Sequence, residues 1–90
     1  MRTVTKHMEI TFKLFATLTD YLPPNRKDNA VRLTVNEGSS VQSVIEQFNL
    51  PEKLTHLVLV NGVYVGPADR AGRVLVADDV LAIWPPIAGG

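Results

Sequence analysis

The best helical pattern in this sequence stands alone among strand patterns, and this limits the fold more than any other feature. Val41, Val44, Ile45 and Phe48 fall at i, i+3, i+4 and i+7, one apolar stripe along a helix. Ser39 precedes Gln42 by three residues, the spacing of a capping box, and Asn49 and Pro51 end the element. The flanking apolar runs have a different period. Ile10, Phe12, Leu14 and Ala16 alternate with Glu9, Thr11 and Lys13, the signature of a half-buried strand. Phe15 interrupts the polar side, so that side is expected to be partly covered. Val31, Leu33 and Val35 alternate with Arg32 and Thr34 as a second strand, and the turn signal Asn36-Glu37-Gly38 follows.

The second half continues in this manner. Leu57–Val60 and Val63–Val65 flank Asn61-Gly62. An Asn-Gly pair between two such runs predicts a hairpin, because a type I′ turn needs positive φ at both central positions. Thr17–Tyr21 is a short helical turn or a loop, stopped by Pro23-Pro24, and Asn25–Asn29 is an exposed loop. Gly66–Arg73 reads as a loop, Val74–Val76 as a short strand or more loop, Asp78-Asp79 as a turn and Val80–Trp84 as the last strand. The order is thus two strands, a helix, two strands, a strand or loop, and a final strand. The first and last strands are the most apolar, which suits neighbours in the middle of a sheet. An α+β fold with a mixed sheet and one main helix on its face is expected, the β-grasp layout of ubiquitin-like proteins. Without repeats or low-complexity segments, the chain divides into a polar N-terminal extension (residues 1–7, with Met8 an alternative start), one β-grasp domain (8–84) and a flexible C-terminal Gly-Gly tail (85–90).

Composition narrows the chemistry. Ninety residues supply a single modest core that hides roughly 60–65% of the unfolded surface. Nine basic and nine acidic residues balance, so no charge surplus points to nucleic acid or to a membrane surface. The absence of cysteine excludes disulfides, thiolate metal sites and a cysteine nucleophile. No apolar stretch at the start has the length of a signal peptide and none approaches a membrane span, so a cytoplasmic protein is expected. His7 and His56 lie in no ligand pattern and are assigned to the surface. Ser39-Ser40 is better explained as a helix cap than as a nucleophile, and Asp78-Asp79 as a turn than as an acid–base pair. Phe12, Phe48 and Tyr64 fall on apolar faces and are assigned to the core. Nothing amounts to a self-contained active site or a metal site, and no bound cofactor is expected.

The exception is the ending, Ala82-Ile83-Trp84-Pro85-Pro86-Ile87-Ala88-Gly89-Gly90. An apolar strand runs into two prolines and then four small or apolar residues. Pro85-Pro86 favours an extended exit from the sheet. Residues 85–90 can span about 20 Å at about 3.3 Å each, enough for a docked body to place its carboxylate in a buried centre. Glycine lets backbone pass a narrow channel and leaves the terminal carbonyl open to attack. A carboxylate is a poor electrophile and must first be activated, most simply as an acyl-adenylate made by another enzyme. The plain alternative is a frayed end. Trp84, at the tail root, has two readings: core, or a half-exposed ring that meets a partner.

These residues resemble the ubiquitin-like sulfur carriers, the family of molybdopterin synthase small subunits and thiamine sulfur carriers. The likeness rests on Phe12-Lys13-Leu14-Phe15-Ala16, on Val60-Asn61-Gly62-Val63 and above all on Pro85-Pro86-Ile87-Ala88-Gly89-Gly90. The Pro-Pro-x-x-Gly-Gly ending is nearer the molybdopterin branch. The resemblance implies that an E1-like adenylating enzyme uses Mg-ATP to activate Gly90. A persulfide sulfur donor then converts the adenylate to a thiocarboxylate, and the tail enters a molybdopterin synthase large subunit that makes molybdenum or tungsten cofactor. By position, Gly90 carries the sulfur, Gly89, Ala88, Ile87, Pro86 and Pro85 form the tail passage, and Trp84 contacts partners. The chain itself is then a carrier without catalytic residues of its own. Two segments depart from the common pattern: Leu18-Thr19-Asp20-Tyr21 lacks a basic residue frequent there, and Val76-Ala77-Asp78-Asp79 replaces Asp-Gly-Asp-Glu. The rivals are a carrier for thiamine or another pathway, a ubiquitin-like protein modifier, and a docking module with an idle tail.

Overall fold

The computed structural model describes residues 6–86. Strands β1 (His7–Leu14), β2 (Ala30–Asn36), β3 (Leu57–Val60), β4 (Val63–Tyr64) and β5 (Val80–Trp84) form one sheet in the order β2-β1-β5-β3-β4. β1 and β5 pair in parallel, with Phe12 beside Leu81 and Leu14 beside Ile83; the other pairs are antiparallel. The most apolar strands therefore lie where both edges are hydrogen-bonded, as their composition suggested. A parallel pair needs a crossover, and helix α1 (Val41–Gln47) lies within it. This is the expected mixed β-grasp sheet with one main helix.

Alternation decides which side faces the core. Ile10, Phe12 and Leu14 on β1, Val31, Leu33 and Val35 on β2, Val58 and Val60 on β3, and Leu81 and Ile83 on β5 are buried in one cluster with Val41, Val44 and Ile45 of α1. Phe48 packs against this cluster, its ring centroid 5.0 Å from that of Phe12. Ala16, expected to continue the β1 alternation, is instead exposed with φ 54°. The chain there turns into a 3-10 helix, Ala16–Tyr21, which buries Leu18. His7, read as part of the extension, is the first β1 residue and pairs with Asn36.

Helix α1 is short, so its ends matter. The capping box is one residue later than the sequence pattern suggested. Ser40 Oγ accepts from the Ser43 amide at 3.1 Å, and Ser43 Oγ accepts from the Ser40 amide at 2.9 Å. Serine at this third position replaces the longer Glu or Gln of the usual box. The remaining first-turn amides are met by a distant loop: Val41 donates to Arg73 O at 2.9 Å and Gln42 to Arg70 O at 3.0 Å. At the other end Asn49, at φ 57°, sets a Schellman closure, with Leu50 N–H donating to Ile45 O and Asn49 N–H to Glu46 O. Val74–Val76 is not a strand; Val74 makes one bridge to Ser40 and Leu75 alone of the three is buried.

The Asn61-Gly62 turn has the positive φ pair that its sequence demands, 52° and 83°. Asp78-Asp79 is likewise a turn. Its two carboxylates have opposite surroundings. Asp78 is exposed and accepts from Arg32 at 2.9 Å, while Glu9 accepts from the same guanidinium at 3.3 Å. The hydrogen bond to Asp78, reinforced by Glu9 and only partly offset by desolvation, raises the Arg32 pKa above its ordinary value. Asp79 is 4% exposed and is bound by Asn61 Nδ2 at 2.8 Å and by the Val76 amide at 2.9 Å.

Candidate functional site

Strand β5 is both a central strand and the last element before the tail, so the tail leaves from a braced position. On one side Phe15 N–H donates to Ile83 O, and on the other His56 N–H donates to Trp84 O, each at 3.2 Å. Pro85 and Pro86 have no N–H and cannot extend either ladder. Pro85 is half-buried and Pro86 exposed. The remaining tail positions singled out in the sequence, Ile87, Ala88, Gly89 and Gly90, lie outside the described residues.

A buried cation supports this exit. Arg70 is 4% exposed; it donates from Nη1 to Thr55 O at 2.9 Å, from Nη2 to His56 O at 3.3 Å and from Nε to Val65 O at 3.2 Å. The rigid fork of a guanidinium suits three carbonyls in a way that a single ammonium does not. Arg70 thus ties the β3 approach to the loop after β4, and His56 passes that restraint to Trp84. No sequence signal points to this, because Arg70 lies in a polar loop where an arginine is ordinarily solvated.

Trp84 takes the partly exposed reading. Its side chain lies on the sheet face opposite α1, stacked on Phe15 with centroids 4.1 Å apart and planes 7° from parallel. Phe15 is thereby covered, which explains how an aromatic residue breaks the polar side of β1. Register extends the same face. Leu57 pairs with Trp84, Leu59 with Ala82, and Tyr64 with Leu59. Leu57 and Tyr64 are 36% and 56% exposed. Tyr64, expected in the core, belongs instead to this outer face, because its pairing with Leu59 puts it opposite the helix side. Adjacent exposed aromatic and aliphatic side chains of this kind mark contact surfaces more often than isolated ones do. What the fold brings together is therefore Phe15, Leu57, Tyr64 and Trp84 beside the tail root.

Both histidines are exposed, in keeping with surface roles. Among the described residues no group of three or more His, Cys, Asp or Glu side chains could hold a metal, and no helix is long and apolar enough to cross a membrane.

Solved structures share this fold. The solution structure of the HVO 2177 protein of Haloferax volcanii superposes with TM-score 0.73 at 24% identity, covering 93% of this chain and 88% of that one. The crystal structure of SAMP1 from Haloferax volcanii gives 0.63 at 23% identity, covering 91% and 99%. A Pyrococcus furiosus protein provisionally named molybdopterin converting factor, subunit 1, gives 0.65 at 20% identity, covering 89% and 99%. No curated protein matches. The fold agrees with the ubiquitin-like resemblance of the sequence. Residues 7–88 match the family described as Mut7-C ubiquitin, a span that takes in all five strands, the helix and the tail root, and the chain belongs to that family.

Proposed function

We propose that this protein is a carrier that works through its terminal glycines and borrows all catalysis from partners. An E1-like enzyme uses Mg-ATP to join the Gly90 carboxylate to AMP, releasing pyrophosphate. A persulfide donor displaces AMP to give an acyl disulfide, and a second thiol of the donor attacks its donor-side sulfur, releasing the thiocarboxylate and leaving a donor disulfide. The outer face around Trp84 docks on a molybdopterin synthase large subunit while Pro85–Gly90 reach its active centre. The observation that carries this reading is the braced exit: a central strand, hydrogen-bonded on both sides up to Trp84 O, followed at once by two prolines. Such a root fixes where Pro85 and Pro86 leave the sheet relative to the outer face, which lowers the ordering cost when that face and the tail engage a partner together. The Pyrococcus furiosus neighbour, whose provisional name is that of a converting-factor subunit, supports the choice of pathway. We place the protein in the cytoplasm, where ATP and persulfide donors are available.

The second reading is a protein modifier, with Gly90 joined to a lysine amine. It is favoured by one observation, the shared fold of SAMP1, a protein whose related crystal structure is described as small archaeal modifier protein 1. The two readings share activation and differ in acceptor. Intact-mass spectra after incubation with Mg-ATP, an E1-like enzyme and a persulfide donor separate them. Exchange of one oxygen for sulfur, seen with the full chain and absent without Gly90, supports the carrier. Adducts on lysines of other proteins, with no thiocarboxylate, support the modifier. Neither product with the full chain overturns both.

A further inference from the structure

The Asn61-Gly62 turn is chemically vulnerable in a way that the fold suppresses. Because Gly62 has no Cβ, its amide nitrogen is open to approach the Asn61 carboxamide whenever that side chain can rotate. In the folded domain rotation is blocked. The Val80 amide donates to Asn61 Oδ1 at 2.8 Å, which orients Nδ2 toward Asp79 Oδ1, also at 2.8 Å. The Asn61 backbone N–H donates to Val80 O at 2.9 Å. Turning the carboxamide toward Gly62 breaks two side-chain bonds and removes a donor from a carboxylate that is 4% exposed. That is costly for a buried acceptor.

We propose that Asn61 is a deamidation site gated by folding. When the hairpin opens, the Gly62 nitrogen attacks Cγ of Asn61. The N–Cγ bond forms, the Cγ–Nδ2 bond breaks, and ammonia leaves with the displaced proton. Water then opens the five-membered imide at either carbonyl and gives aspartate or its β-linked isomer. Neither product rebuilds the clamp. A carboxylate at position 61 meets the Asp79 oxygen where an N–H stood, and two carboxylates at that distance resist joint ionisation. Arg73, 3.9 Å from Asp79 Oδ2, is the nearby cation, whereas Asp78 is turned to Arg32. The β-linked isomer adds a backbone atom to a two-residue turn and breaks the Val60–Val63 register. A chain that remains open is thereby removed from the folding pool, independently of what its tail carries.

The test is peptide mapping by mass spectrometry after parallel incubation of the full chain in native buffer and in urea, at one mildly alkaline pH. Conversion at Asn61 should be about 100-fold slower in the folded protein, the ratio reflecting how rarely the hairpin opens. Asn25, Asn29, Asn36 and Asn49, none followed by glycine, are internal controls and should lag in urea. Equal rates in both conditions, or controls that convert as fast as Asn61 in urea, would overturn the proposal. Asp79→Ala, if folded by circular dichroism, should convert faster than the parent in native buffer; an unchanged rate removes the clamp from the explanation. Asn61→Asp tests the product separately. It should melt earlier than the parent, with the gap widening as pH rises from acid to neutral. Its shared proton gives a folded pKa above the unfolded one, and that stability is lost on deprotonation. A melting temperature equal to the parent's would overturn the one-way outcome.

Discussion

Phe15 stacks on Trp84 at 4.1 Å, joining the end of one central strand to the end of its parallel neighbour. The pair closes the outer face where the tail begins, so it bears on stability and on the docking proposed for that face. Phe15→Ala should lower stability by about 1–2 kcal/mol, from the stacked geometry plus lost burial. Trp84 is the chain's single tryptophan. Its emission should shift to the red in the variant, and thermal melting followed by fluorescence measures both effects. An unchanged spectrum would mean that the stack does not persist in solution.

Arg70 should be one of the two most sensitive charged residues, with Asp79. Arg70→Met retains the apolar stem but leaves three carbonyls without their donor, at a cost of about 2–3 kcal/mol. Arg70→Lys should recover little, since one ammonium cannot replace the fork. Amide exchange at His56 should accelerate in both variants, because its N–H bond to Trp84 O depends on that segment. Chemical denaturation and hydrogen exchange report the two consequences.

The two serines before α1 can be separated. Ser40→Ala should cost about 1 kcal/mol as the loss of a true N-cap, whereas Ser39→Ala should stay within about 0.5 kcal/mol. Urea midpoints of the two variants decide the register of the cap. Equal effects would contradict it.

Asp78 and Asp79 should respond unequally to substitution. Asp79→Ala orphans Asn61 Nδ2 and the Val76 amide, and a loss of about 2–3 kcal/mol is expected. Asp78→Asn, which keeps a side chain tolerated at φ 69°, removes the charge from the exposed pairing with Arg32, and its effect should fade in about 1 M salt. Denaturation at two ionic strengths distinguishes the pair.

Arg32 supplies a pH control. Its folded pKa is raised, so its contribution is complete below the ordinary arginine range and declines only as pH rises beyond it. Arg32→Gln should therefore have the same effect at neutral and mildly alkaline pH. A loss that varied between these conditions would have to come from another group.

What local chemistry controls was legible in the chain. Period-two runs predicted β1 and β2, short apolar runs predicted β3 and β5, the 3.6-residue stripe predicted α1, and Asn61-Gly62 predicted its turn, because each depends on residues near one another in sequence. Even the central position of β1 and β5 followed from their apolar character. Tertiary structure decided the rest. Tyr64 and Leu57 face outward because of strand register, Ser40 caps α1 because residues 70–75 fix where the helix begins, and Ala16 leaves the strand at a turn. Arg70 and Asp79 look like solvated loop residues until the fold surrounds them, Arg70 with three backbone carbonyls and Asp79 with the Asn61 carboxamide and the Val76 amide. Their burial is set by partners 3 to 18 residues away, reached through loops and turns in which hydrophobic periodicity carries no information. The outer face proposed for docking is of the same kind: Phe15, Leu57, Tyr64 and Trp84 become one surface only when β1, β3, β4 and β5 lie side by side.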